Sequence, residues 1–184
     1  MSNTSFYNRE ELLQMGFKSL GENVLISSNA NFYSPETIEI GNNTRIDDFC
    51  LLTGRVIIGN YVHVSAYTSL YGKYGIELKD YSGLSPRVTI FSASDDFYGE
   101  YAVGPLLPQN ITNVQGSKVT IGKYVQVGSG CTVLPGVQID EGAAVGAMSL
   151  VNKNIPEWKI AAGIPAKIIN ERKKELVNKI NSIR

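Results

Sequence analysis

A chain of 184 residues with 17 basic and 17 acidic side chains is sized for one domain with a full core, and it carries none of the cationic excess of a dedicated nucleic-acid binder. Apolar runs of a few residues argue against a membrane span, and Met1-Ser-Asn-Thr-Ser-Phe-Tyr7 lacks the basic and apolar stretches of a secretory signal. Cys50 and Cys131 are too few for a disulfide-stapled scaffold and lack metal-ligand spacing, so a reduced, cytoplasmic protein without a metal is expected.

The first expected element is a short helix over Asn8 to Leu20. Asn8 can cap it, and Glu10 and Glu11 suit its first turn. Residues 1–22 are read as a helical cap on a stacked repeat, because such a repeat needs its open end covered.

The repeat itself has a period of six. Aliphatic residues open successive hexads at Ile40, Ile46, Leu52, Ile58, Val64 and Leu70. After a slip of two they resume at Leu78, Leu84 and Ile90. They restart at Ile121 and run through Val127, Val133, Ile139, Val145 and Val151. The fifth place is small or β-branched (Thr44, Val62, Thr68, Ser82, Val88), and both cysteines fall in it. The second place is often glycine, as at Gly41, Gly59 and Gly122. A strict six drifts around a 3.6-residue helix and does not suit a meander of hairpins. It does suit one flat side of a triangular coil, with the first and fifth residues inward and glycine or asparagine easing the corner. The domain expected is an all-β parallel solenoid over 23–169.

Two segments depart from the repeat. Residues 92–118 break it and carry Ser92-Ala-Ser-Asp-Asp-Phe-Tyr-Gly-Glu-Tyr101, a long loop in a regular scaffold and therefore a functional candidate. Residues 170–184 place Leu176, Val177, Ile180 and Ile183 at helical spacing and are expected as a C-terminal helix.

The hexads from about Ile26 to Lys167 and the closing Ala161-Ala-Gly-Ile-Pro-Ala-Lys167 resemble the hexapeptide-repeat acyltransferases. Ser92-Ala-Ser-Asp-Asp96, Tyr98-Gly-Glu-Tyr101 and Gly142-Ala-Ala-Val-Gly-Ala-Met-Ser-Leu150 are most similar to bacterial galactoside and polysaccharide sugar O-acetyltransferases. The resemblance implies a left-handed parallel β-helix, where general handedness rules alone would favour the right hand. It also implies acetyl-CoA as co-substrate, a sugar hydroxyl as acceptor, and a homotrimer with sites between subunits, without nucleic-acid or membrane partners.

Residue by residue, the resemblance sets Ser129 and Ala147 along the pantetheine, Asn152 and Lys153 after the last hexad, and Gly163, Pro165 and Lys167 in the segment lining the CoA channel. CoA phosphates suit cations at that mouth. The family's loop histidine is missing: Val88-Thr-Ile90 is followed by Phe91-Ser-Ala-Ser, and Asp95 stands about where it belongs. The sole histidine, His63, faces outward in the sixth place and is the candidate base, with Asp95 or Asp96 orienting it or holding the acceptor. Ser92, Asp96, Tyr98, Glu100, Tyr67 and Tyr71 are candidate acceptor contacts, the tyrosines offering flat faces to a sugar ring.

An alternative stays open. An acceptor amine arriving unprotonated needs no strong base, and an acidic loop suits a nucleotide-linked amino sugar. A zinc hydratase is disfavoured, since one histidine per chain cannot supply three ligands. A non-catalytic binding solenoid is weighed against the closing Gly-Ile-Pro-Ala-Lys segment.

Overall fold

In the computed structural model, which describes residues 5–182, the hexads wind into a coil with three flat faces. On the first face Ile26, Ile46, Val64, Leu84, Val127, Val145 and Ala161 stack in register, each strand parallel to the next. The second stacks Phe32, Leu52, Leu70, Ile90, Val133 and Val151, and the third Leu20, Ile40, Ile58, Leu78, Ile121 and Ile139. Two longer strands, Leu51–Ile58 and Ser69–Leu78, run through the corner and join the second and third faces in one sheet.

Each place in the hexad has its own physical task. First-place aliphatics fill the tube and are almost without solvent contact, the main source of stability in a fold whose backbone bonds run between coils. Fifth-place hydroxyls in the tube donate to carbonyls, as Thr44 Oγ1 does to Gly59 O at 2.9 Å. The Ser82 hydroxyl is buried with no partner among the described residues. In the third place a side chain replaces a rung: Asn60 Oδ1 accepts from Asn42 N at 2.8 Å, and Asp80 Oδ1 from Asn60 N at 2.7 Å.

The corner is built differently from the expectation. The left-handed residue is the fourth of the hexad, and it is often bulky: Asn43 (φ 55), Phe49 (59), Tyr61 (57), Tyr67 (62), Tyr81 (60), Tyr124 (61) and Trp158 (56). Such a conformation costs a non-glycine residue roughly 1–3 kcal/mol. Ring stacking from coil to coil offsets part of it, at roughly 0.5–1.5 kcal/mol per pair. Phe49 lies on Tyr67 at 5.0 Å, Tyr61 on Tyr81 at 4.9 Å and Tyr81 on Tyr124 at 5.5 Å. The second-place glycines serve close approach instead. A Cβ at Gly41 would lie 2.6 Å from the carbonyl carbon of Gly59, and one at Gly122 2.8 Å from that of Asp140.

The ends also differ from the sequence reading. Helix α1 spans only Arg9–Gln14, closed by a capping box between Asn8 and Glu11. Ser19–Leu20, expected within the cap, already pairs with Glu39 and Ile40 as the first rung. At the other end Lys159–Gly163 continues the first face, then Ala166–Glu171 folds back antiparallel along it. Asn170 and Glu171 are therefore strand, not helix, because the sheet edge offers their backbone partners and Lys159 pairs with Glu171. Arg172 then reaches into the coil and donates through Nη1 to Tyr124 O, Gly142 O and Ala143 O at 2.7–3.1 Å. Helix α2, Glu175–Asn181, comes next with no buried residue; positions 183–184 of the expected helix lie outside the described residues.

Candidate active site

The repeat is interrupted after the strand Thr89–Phe91, and the chain leaves the wall as a loop. Its two legs, Ala93–Ser94 and Gln115–Gly116, pair antiparallel. A side chain at Gly116 would collide with Ser92 O and the Tyr74 ring, so the neck closes only over glycine. Ser92, expected among the acceptor contacts, is buried and occupied: its hydroxyl donates to Tyr71 O at 2.8 Å and accepts from Tyr74 N at 2.9 Å. It fixes the direction in which the loop departs. Tyr74 Oη donates to Val114 O at 2.9 Å, and Lys118 pairs with Glu77 at 2.6 Å, fastening the returning leg.

Two hollows result. One, about 450 Å³, lies within the loop and is lined by Ser94, Asp95, Asp96, Tyr98 and Glu100 among others. A larger one, about 760 Å³, lies between loop and wall and includes Thr53, Tyr71, Lys73, Phe91 and Asp95. Asp95 lines both. Four of the expected acceptor contacts (Tyr71, Asp96, Tyr98 and Glu100) are thus gathered around Asp95. Asp96 commits its carboxylate to the loop itself, taking Tyr98 N at 2.9 Å and Tyr101 N at 2.8 Å. The hydrogen bonds from Tyr101 and Tyr98 hold its carboxyl below the ordinary value. Tyr67 is elsewhere, at a coil corner against Phe49 with the Arg87 guanidinium 5.8 Å from its ring.

His63 sits on the first face, half exposed, and its partner is not a loop aspartate. Its Nε2 lies 2.8 Å from Asp47 Oδ2, while Arg45 Nε donates to Asp47 Oδ1 at 2.6 Å. Burial pushes the Asp47 carboxyl up, but the hydrogen bonds and charges of Arg45 and His63 outweigh it, and the group is held below its ordinary value. Among the described residues, His63 and Asp95 share no hydrogen bond.

Of the residues matched to CoA, three stand in one column. Ser129, Ala147 and Gly163 each stand two places after the stacked Val127, Val145 and Ala161, and all three are exposed. Met148 N donates to Ser129 O at 2.8 Å, and Gly163 N to Ser149 Oγ at 3.0 Å, which joins the three coils. No side chain in this column is larger than the hydroxymethyl of serine, which fits a slender chain such as pantetheine. Asn152, Lys153, Pro165 and Lys167 are exposed around the same end of the coil.

This architecture, a parallel β-helix with an acidic loop beside its wall, is that of an acyl-CoA-dependent acyltransferase. The family description "bacterial transferase hexapeptide (six repeats)" matches residues 118–153. A dTDP-4-amino-4,6-dideoxy-D-glucose acyltransferase of Escherichia coli is 43% identical over 176 residues, covering 94% of this chain and 92% of that protein. The chain belongs to the hexapeptide-repeat bacterial transferases. Among solved structures, AntD, an N-acyltransferase from Bacillus cereus in complex with dTDP and 3-hydroxybutyryl-CoA, superposes with a TM-score of 0.95 at 46% identity, covering 98% of this chain and 96% of that one. AntD has also been solved with a serine replaced, and with an aspartate ten positions further on replaced. The galactoside O-acetyltransferase of Escherichia coli K12 is 26% identical over 163 residues, covering 89% of this chain and 68% of that protein. The relatives named for hydroxyl transfer are thus the less similar ones, and the hydroxyl reading gives way to the amine alternative.

Proposed function

We propose that this protein moves an acyl group from acyl-CoA to the amine of a nucleotide-linked amino sugar, with Asp95 as the group that handles the amine proton. The observation that carries this is the position of Asp95, on the wall of both loop hollows at the point where relatives of the hydroxyl-transferring kind are expected to hold a histidine. A hydroxyl needs its proton drawn off before it attacks. A neutral amine attacks unaided, and only the positive nitrogen that results is acidic enough for a carboxylate to deprotonate. The amine lone pair forms the N–C bond, Asp95 takes the N–H proton, the C–S bond breaks, and the departing thiolate receives the proton as free CoA.

Ser85 is a second candidate, which the sequence reading missed. It is the one serine in the chain with an aspartate, Asp95, ten positions further on, the spacing of the two positions replaced in AntD. It lies at the corner before the second face, whereas Asp95 lies beyond that face's far end. Residues at opposite ends of one face can meet across a groove between two chains, and this supports the homotrimer reading. The CoA column, Ser129, Ala147 and Gly163, holds the donor, with Asn152, Lys153, Pro165 and Lys167 at its mouth. Acetyl is the donor group expected from the sequence, and the AntD complex makes 3-hydroxybutyryl the competing one. Both substrates belong to the cytoplasm. Among the described residues no helix is long and apolar enough to cross a membrane.

The test is an acceptor screen. The purified protein is given acetyl-CoA or 3-hydroxybutyryl-CoA with dTDP-4-amino-4,6-dideoxyglucose or a galactoside, and CoA thiol release and product mass are followed. An acylated amino sugar that survives hydroxylamine establishes the amide. A hydroxylamine-labile product on the galactoside alone would return the protein to hydroxyl transfer.

A further inference from the structure

Outward side chains on the second face form a ladder with one ring missing. Tyr33, Thr53, Tyr71 and Phe91 occupy successive rungs of the same column. Tyr71 and Phe91 are stacked, 5.0 Å between centroids and 4° from parallel. Below Tyr71 the next rung carries Thr53, and Tyr33, on the rung after that, is 63% exposed. Two rungs of a β-ladder separate Tyr33 from Tyr71 by roughly 9.5 Å. That space admits one more flat ring, stacked at the usual centroid distance of roughly 4.5–7 Å from each neighbour. Elsewhere on the coil, at Phe49–Tyr67 and Tyr61–Tyr81–Tyr124, a ring meets a ring on the very next rung.

The gap opens into the 760 Å³ hollow that also holds Asp95, within the size range of pockets for small molecules, roughly 300–1,000 Å³. The wall beside it is bare backbone at Gly54, paired with the buried Gly72 of the next coil. A Cβ at Gly54 would strike the neighbouring coil, 2.8 Å from the Gly72 carbonyl. Lys73, two residues past Tyr71, lines the same hollow, is exposed, sits 6.0 Å from the centroid of the Tyr74 ring and forms no ion pair among the described residues. Slot, glycine, cation and carboxylate thus line one hollow, and a nucleotide-linked amino sugar offers them a flat base, a diphosphate and an amine.

We propose that the slot over Thr53, beneath Tyr71, seats the nucleobase of the acceptor, with its diphosphate at Lys73 and its amine at Asp95. This rests on the nucleotide-sugar reading above and adds to it the residues that select the nucleotide. Tyr71 is then a platform for the base and not for the sugar ring.

The experiment is calorimetric titration with dTDP of the wild-type protein and of Thr53→Phe, which puts a ring in the gap, and Tyr71→Ala, which removes the platform. CoA titration of each serves as the control for folding. Stacking of a base on one aromatic ring is worth about tenfold or more in affinity. Both variants are expected to bind dTDP at least about tenfold more weakly while CoA affinity stays at the wild-type value. Unchanged dTDP affinity in both would place the base elsewhere and leave the nucleotide-sugar reading standing. A wild-type protein that binds CoA but not dTDP would overturn that reading and the slot with it.

Discussion

The coil and the loop that leaves it at Ser92 obey opposite rules. In the coil nearly every residue is set by its place in a six-residue unit, its backbone bonds go to the next coil, and its aliphatic column is shut off from water. In the loop, 95–114, side chains such as Phe97, Tyr98 and Leu106 are almost fully exposed, and the backbone is turned by local devices such as the Asp96 carboxylate. Stability and chemistry are therefore held by different residues, and substitutions can separate them.

The largest effect belongs to the loop. Asp95→Asn is expected to lower turnover on the amino-sugar acceptor by about 10²–10⁴-fold with the thermal midpoint unchanged, because proton transfer is lost and no packing is. A matching fall in both would join the two regions again. In the coil, Ile121→Ala removes a fully buried side chain and should cost about 2–5 kcal/mol in denaturant unfolding, with the folded fraction turning over normally.

Smaller effects test the surface of the wall. Ionised Asp47 stabilises the fold above about pH 3.9, the ordinary carboxylate value, and that contribution is lost as pH falls through its lower folded value. Asp47→Asn should thus flatten the acid limb of stability below about pH 4, measured by urea midpoints across that range. His63→Ala, which removes one of its two partners, should leave amine transfer within about twofold; a larger fall would restore His63 to the mechanism. Least of all, Ser82→Ala removes a buried hydroxyl that has no partner among the described residues, and should raise stability by up to about 1 kcal/mol.

The hexad register was legible from Ile40 to Val151 on either side of the loop, since those aliphatics need nothing but burial to declare their phase. The corners were not. General rules send left-handed backbone to glycine, so a tyrosine or tryptophan in that conformation has no local signal; only its stacked neighbour one coil away makes it tolerable. The C-terminal strand was hidden for a like reason, its partner Lys159–Gly163 being a tertiary feature. At the candidate site, Asp95 was singled out through the histidine missing from its place. Ser92 and Ser85 were not distinguishable by type: one is buried as a fastening and the other is only half-buried, with its hydroxyl accepting from Gln126 Nε2 at 3.1 Å.

The antiparallel return of Ala166–Glu171 has a consequence for the protein's life in concentrated solution. A parallel coil is self-templating, because its last rung presents the same donors and acceptors as the one before, and a second molecule could add to it end on end. On the first face that rung is covered by a strand running the wrong way, with Lys167 on its outside edge. The other two faces stop at Leu150–Val151 and at Ile155, which leaves only short rungs as open edge. On that face the chain is stacked on itself, which opposes filament growth at the end where the repeat would otherwise invite it.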